Sequence, residues 1–116
     1  LNLVRGEDSF VRSLWAARPF VWQPYPQADN AQLAKLDAFL ERYASGVPRA
    51  RPASFDAWHR AWNDPANGES ITALWQAFAA ELPAIGAYAR RWTADLADQP
   101  DLTTRLVRMI EELVLF

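Results

Sequence analysis

The chain has 116 residues, enough for one compact unit that buries a core without staples but too few for two complete domains. Its net charge of -2 and pI near 5.3 leave no clustered excess of Lys and Arg for a nucleic-acid backbone, while the lack of Cys and the single His59 exclude disulfides and the usual structural zinc sites. No apolar run reaches the length of a bilayer-spanning helix, and Leu1–Val4, followed at once by Arg5 and Glu7, is too short for a signal peptide, so a soluble, cytoplasmic protein with no nucleic-acid or membrane partner is expected.

Leu3 to Ser9 reads as a strand end or loop running into a helix, since Gly6 permits a tight backbone and Glu7 and Asp8 favour a first turn. That helix is predicted from Asp8 to Ala17, with Phe10, Val11, Leu14 and Trp15 as its apolar stripe, and it stops before Pro19. Pro19-Phe20-Val21-Trp22, bounded by Pro24 and Pro26, suits a short buried strand. It is the one convincing strand, and a lone strand needs partners the sequence does not obviously supply. From Asp29 onward Leu33, Leu36, Phe39, Leu40 and Tyr43 recur at helical spacing until Gly46 and Pro48.

Val47 to Ala53 reads as a Pro/Arg-rich linker, after which Ser54 is placed to cap a short helix carrying Phe55, Trp58 and Trp62. Asn63 to Gly68 is a loop by composition. A longer helical stretch starts near Ser70 with Ile71, Leu74, Trp75, Phe78 and Leu82 on one face, and Pro83 must break or kink it. Ile85, Tyr88, Ala89, Trp92 and Leu96 continue the spacing, and a last helix spans about Leu102 to Leu115. Six Trp, six Phe and three Tyr in so short a chain must be covered or serve as contacts. Together with the missing sheet and an opening without Met, they lead us to expect a piece of something longer.

The stretch that carries chemistry is the first one. It offers unpaired N–H groups at a helix start, the Ser9 hydroxyl, the Arg5 guanidinium and two adjacent carboxylates. Orphan N–H groups and the helix dipole suit a diphosphate, whereas the carboxylates make better sense reaching past it to a sugar. Taken alone, Glu7, Asp8 and Ser9 read first as helix caps.

The run Arg5-Gly6-Glu7-Asp8-Ser9-Phe10-Val11-Arg12, followed at this spacing by Trp15-Ala16, Pro19-Phe20-Val21-Trp22 and Tyr25-Pro26-Gln27, resembles the donor-site signature of the bacterial elongation factor P arginine rhamnosyltransferases. The later helices are similar in pattern rather than in residues, and the chain resembles roughly the last third of a family member. The resemblance implies an α/β fold class, the C-terminal portion of a GT-B (Rossmann-like) donor lobe. Residues 1–116 would form a single, mainly helical unit with one short strand, and the helix at 102–115 would cross to an N-terminal lobe.

It further implies inverting transfer of rhamnose from thymidine-diphosphate rhamnose to an arginine of elongation factor P, with no metal or other cofactor. By the same resemblance Arg5 and Ser9, with Gly6 and the backbone near Asp8 and Ser9, would hold the diphosphate. Tyr25 would hydrogen-bond the donor phosphate, Gln27 would support it, and Glu7 and Asp8 would contact the sugar or assist the reaction. Gln23-Pro24 departs from the His-Ile-like pair expected before the tyrosine. The family's acceptor-activating aspartates and thymine contacts fall outside this sequence.

Two other classes stay open: a non-catalytic helical module whose aromatics dock a protein, and another GT-B sugar transferase. Trp58 and Trp62 at i and i+4 suggest a buried face ahead of a sugar-stacking platform, and His59 a surface or structural role. Arg90-Arg91 and Glu111-Glu112 read as solvated helix faces.

Overall fold

Asn2–Val4, a stretch the sequence leaves undecided between strand and loop, forms β1 and pairs in parallel with Phe20–Trp22, β2. This corrects the expectation of a single strand. The two-stranded sheet belongs to a computed structural model that describes residues 1–45, 51–64 and 66–115. Parallel neighbours need a crossover, usually a helix, and α1, Glu7–Trp15, provides it. The remaining described helices are α2 Ala31–Ala44, α3 Ala53–Asn63, α4 Ile71–Ala80, α5 Leu82–Ala97 and α6 Leu102–Val114. The expected helix stop at Gly46 and Pro48 and most of the 47–53 linker lie outside the described residues.

β2 is the centre of the core. Phe20, Val21 and Trp22 are all buried, and rings from α1, α2 and α3 gather around Phe20 and Trp22. Phe10 of α1 stacks on Trp22 with ring centroids 4.0 Å apart. Phe20 meets Phe39, Tyr43 and Phe55 edge-on or tilted at 5.5–5.9 Å, separations at which aromatic pairs gain beyond simple burial. Of the α1 stripe only Phe10 and Leu14 pack on this core; Val11 and Trp15 stay exposed. Buried Ser13 takes their place on the inner face, its hydroxyl donating to the Phe10 carbonyl at 2.8 Å.

The outer edge of β2 is closed by α3. His59 Nε2 accepts from the Trp22 N–H at 3.1 Å, and Asn63 Nδ2 donates to the Trp22 carbonyl at 3.0 Å. A backbone edge that would otherwise be orphaned in the interior is thus satisfied by side chains. His59 is fully buried, so its role is structural, and the surface alternative is excluded. Ser54 does not cap α3; it lies inside the helix and its hydroxyl bonds Glu81.

Proline chemistry divides α4 from α5 as expected, with Pro83 in the first turn of α5, where its missing N–H costs nothing. At the entry to α2, Asp29 and Asn30 take left-handed backbone with φ near 57° and 56°, conformations that Asp and Asn tolerate. α6 buries none of its residues, and Leu106, Met109, Ile110 and Leu113 stand exposed along it. The radius of gyration, 16.7 Å, exceeds the roughly 13 Å expected of a globule this size.

Burial pushes the His59 imidazole down from 6.5 to about 4. Its Nδ1 lies 2.8 Å from the Phe55 carbonyl, so Nδ1 carries the proton and Nε2 stays an acceptor. Protonating Nε2 would set a donor against the Trp22 N–H. Between pH 6.5 and 4 the unfolded chain binds the extra proton and the folded one does not. Stability should therefore be full above about pH 6.5 and fall by on the order of 3 kcal/mol as pH drops toward 4. Urea midpoints across this window measure it, and His59→Gln should flatten the slope; an equally steep slope in that variant would assign the acid sensitivity elsewhere.

Candidate functional site

The register Val4 to Trp22 brings the segments leaving both strands to one edge of the sheet. There Gln23 N–H donates to the Val4 carbonyl at 2.9 Å, and the Arg5 Nε donates to the Gln23 carbonyl at 3.2 Å. The Trp22 indole N–H donates to the Arg5 carbonyl at 3.0 Å. The Arg5 guanidinium lies 4.5 Å from the centroid of the Tyr25 ring, a cation–π distance. Two loops far apart in sequence are thereby tied into one wall.

Between that wall and α2 opens a cleft of about 470 Å³, lined by Arg5, Gly6, Glu7, Tyr25, Gln27 and Lys35, with Phe10, Trp22 and Pro24 at its base and sides. Gln27 is held by its N–H, which donates to Gln32 Oε1 at 2.9 Å. α1 begins at the cleft. Gly6 is its N-terminal flank and makes no side-chain cap, and the Ser9 hydroxyl donates to the Gly6 carbonyl at 2.9 Å instead of accepting from the backbone. Among the described residues none accepts from the N–H groups of Glu7, Asp8 and Ser9. The first helical N–H groups thus remain open to an anion.

Of the residues singled out in the sequence, Arg5, Gly6, Glu7, Tyr25 and Gln27 come together around the cleft. Asp8 and Ser9 do not line it. Asp8 pairs with Arg12 at 3.1 Å on the exposed side of α1, and the Ser9 side chain faces the groove beside Leu1–Val4. Gly6 has φ -67° and ψ 156°, ordinary extended backbone, and an added Cβ would meet Ser9 Oγ and Tyr25 Cε2 at 3.9 Å. The chain bends here without using the positive φ that glycine allows, and what Gly6 provides is an uncovered helix start.

Sequence reasoning missed Lys35, which α2 brings across the cleft to within 3.7 Å of Glu7 Oε1. It also missed the indole N–H of Trp22. Neither carries a local signal, because both depend on how α2 and β2 pack. Pro24 is buried in the cleft wall. Trp58 is buried and Trp62 exposed, their rings stacked at 5.3 Å. Arg90 is exposed, whereas Arg91 is half-buried. Among the described residues no group of three His, Asp or Glu could hold a metal, and no helix is long and apolar enough to cross a membrane.

Residues 1–111 match the family described as Elongation-Factor P (EF-P) rhamnosyltransferase EarP. The chain belongs to the EarP family. Similar proteins include protein-arginine rhamnosyltransferases of Pseudomonas aeruginosa, 42% identical over 93% of this chain and 28% of that protein, and of Shewanella oneidensis, 36% identical over 97% and 28%. The Neisseria meningitidis protein of the same name is 33% identical over 95% of this chain and 29% of its own length. A solved structure concerned with EarP-mediated arginine glycosylation of translation elongation factor EF-P is similar with a TM-score of 0.69 and 37% identity, over 96% of this chain and 33% of that one. The chain therefore spans under a third of the EarP relatives it matches.

In this EarP-family chain the Arg5 turn depends on the Trp22 indole. Trp22→Phe keeps a ring against Phe10 but deletes the bond to the Arg5 carbonyl. We expect a loss of about 1–2 kcal/mol by urea unfolding, with faster amide exchange at Gln23. Unchanged exchange there would mean that the indole does not hold the turn.

Proposed function

We propose that this chain supplies the diphosphate and sugar side of the donor site of a protein-arginine rhamnosyltransferase. The whole protein would transfer rhamnose from thymidine-diphosphate rhamnose to an arginine of elongation factor P, with inversion, in the cytoplasm, where a translation factor works. Residues 1–116 would be the C-terminal part of a GT-B donor lobe, and α6, with its bare apolar face, would cross to an N-terminal lobe. The single observation that carries the reading is the uncapped start of α1, opening on a cleft walled by Arg5 and Tyr25.

The chemistry follows from that wall. As the bond from the anomeric carbon to diphosphate oxygen breaks, charge gathers on the leaving group, and donors already fixed around it stabilise that charge without reorganising. Arg5, restrained by the Gln23 carbonyl and the Tyr25 ring, and the N–H groups of Asp8 and Ser9 would be those donors. No step of this reading calls on a metal. Gly6 leaves room for the anion, and Gln27 braces the Tyr25 loop.

The acceptor arginine is a poor nucleophile, since its charge is delocalised and its pKa lies above about 12. One guanidinium nitrogen would lose a proton to a carboxylate as it bonds the anomeric carbon, and thymidine diphosphate would leave with the electron pair of the broken bond. Glu7, in the cleft, is the carboxylate on this chain best placed to face the sugar. Asp8 would join it only by leaving Arg12.

Titrating the intact protein with thymidine diphosphate tests the reading, because a helical adaptor would bind none. Arg5→Ala should raise its dissociation constant about tenfold, while Glu7→Gln should cut turnover about a hundredfold with donor affinity kept. Unchanged turnover in Glu7→Gln would remove Glu7 from the reaction. A screen of nucleotide sugars separates this reading from another GT-B transferase, as only the former should prefer the rhamnose donor.

A further inference from the structure

Lys35 sits on α2, a different element from every residue assigned to the diphosphate, yet it lines the same cleft and lies 3.7 Å from Glu7 Oε1. The pair does little for the fold. Its separation is beyond hydrogen-bond length, the Glu7 side chain is 88% exposed and that of Lys35 47%, and exposed pairs of this kind contribute almost nothing to stability. A fold-holding role therefore does not account for the lysine.

Charge does. The side chains lining the cleft that carry full charge are Arg5, Glu7 and Lys35. Without Lys35 the guanidinium and the carboxylate cancel, and an incoming diphosphate would meet Glu7 as an unanswered like charge at the mouth of α1. With it the cleft keeps one net positive charge. Lys35 shares the cleft lining with the apolar Phe10 and Ala38, a setting in which long basic side chains lay their methylenes on apolar surface and keep the ammonium at the rim.

We infer that Lys35 is a positioning residue that balances the charge of the cleft: its ammonium takes up the Glu7 carboxylate and draws it aside, so that a nucleoside diphosphate binds beside an acid that would otherwise repel it. The inference rests on the donor-site reading and adds to it a residue outside the signature run. Because it acts through Glu7, its effect must depend on Glu7 being charged. Because it is electrostatic at an exposed site, its effect must also shrink with salt.

The test is a double-mutant cycle in the intact protein, with thymidine diphosphate as the probe. Lys35→Met should weaken binding about 3- to 10-fold at low salt, Lys35→Arg should restore most of it, and thermal unfolding should stay unchanged in both. In the Glu7→Gln background, Lys35→Met should cost less than half as much on the same logarithmic scale. An equal loss in both backgrounds would overturn the inference in favour of direct contact between the lysine and the anion, and no loss in either would overturn it outright. Absence of binding by the unmodified protein is a separate result: it would reject the donor-site reading, and the inference with it.

Discussion

The parallel pairing of Asn2–Val4 with Phe20–Trp22 is the constraint on which the site depends. In a parallel pair both strands end at the same edge, so the loops that leave them are neighbours however far apart they lie in sequence. Shifting the register by one residue would send each β2 side chain to the opposite face of the sheet and carry Gln23 away from Arg5. The bonds from Arg5 to Gln23 and from Trp22 to Arg5 then convert proximity into a fixed wall. An open helix start in that wall is what the crossover leaves behind, because α1 must begin immediately after β1 with only Arg5 and Gly6 between them.

What pins the register is the aromatic core. β2 is buried on both faces, and Phe10, Phe39, Tyr43 and Phe55 surround its Phe20 and Trp22 rings. Rings in edge-on and stacked contact have few ways to repack, unlike aliphatic chains of similar volume. The outer edge of β2 is just as constrained, for His59 and Asn63 complete the hydrogen bonding of Trp22. Further out, the Tyr88 hydroxyl donates to the Tyr43 carbonyl, and Thr93 Oγ1 donates to the Leu14 carbonyl at 2.7 Å, tying α5 to both α2 and α1.

The helices were legible because their apolar spacing and their breakers are local properties. Pro83 and the Leu33 to Tyr43 run show this. β1 was not, since three residues with an exposed Leu3 give no alternation long enough to distinguish strand from loop. His59 stays open between surface and structure in the sequence for a related reason: a lone imidazole on a helix has no sequence partner, and its partner here is a backbone N–H 37 residues away. At the site, the signature run located Arg5, Glu7 and Tyr25 in one cleft without saying how they meet. Asp8 and Ser9 lie in the same run, yet helical geometry turns their side chains away from that cleft. Lys35 came from outside the run altogether.

Core and cleft are separated in their energetics as well as in space. Arg5, Glu7, Tyr25, Gln27 and Lys35 are all exposed, so replacing any one of them leaves no cavity and strands no buried polar atom, the two main sources of large destabilisation. Phe20, His59 and Tyr43 are the reverse case, fully buried and tied to several elements. A defect in binding after a change at the cleft therefore reports on the cleft. Trp22 spans both regions, with its ring in the core and its indole N–H on the Arg5 carbonyl. It is the residue through which the rigidity of the interior reaches the turn that begins α1.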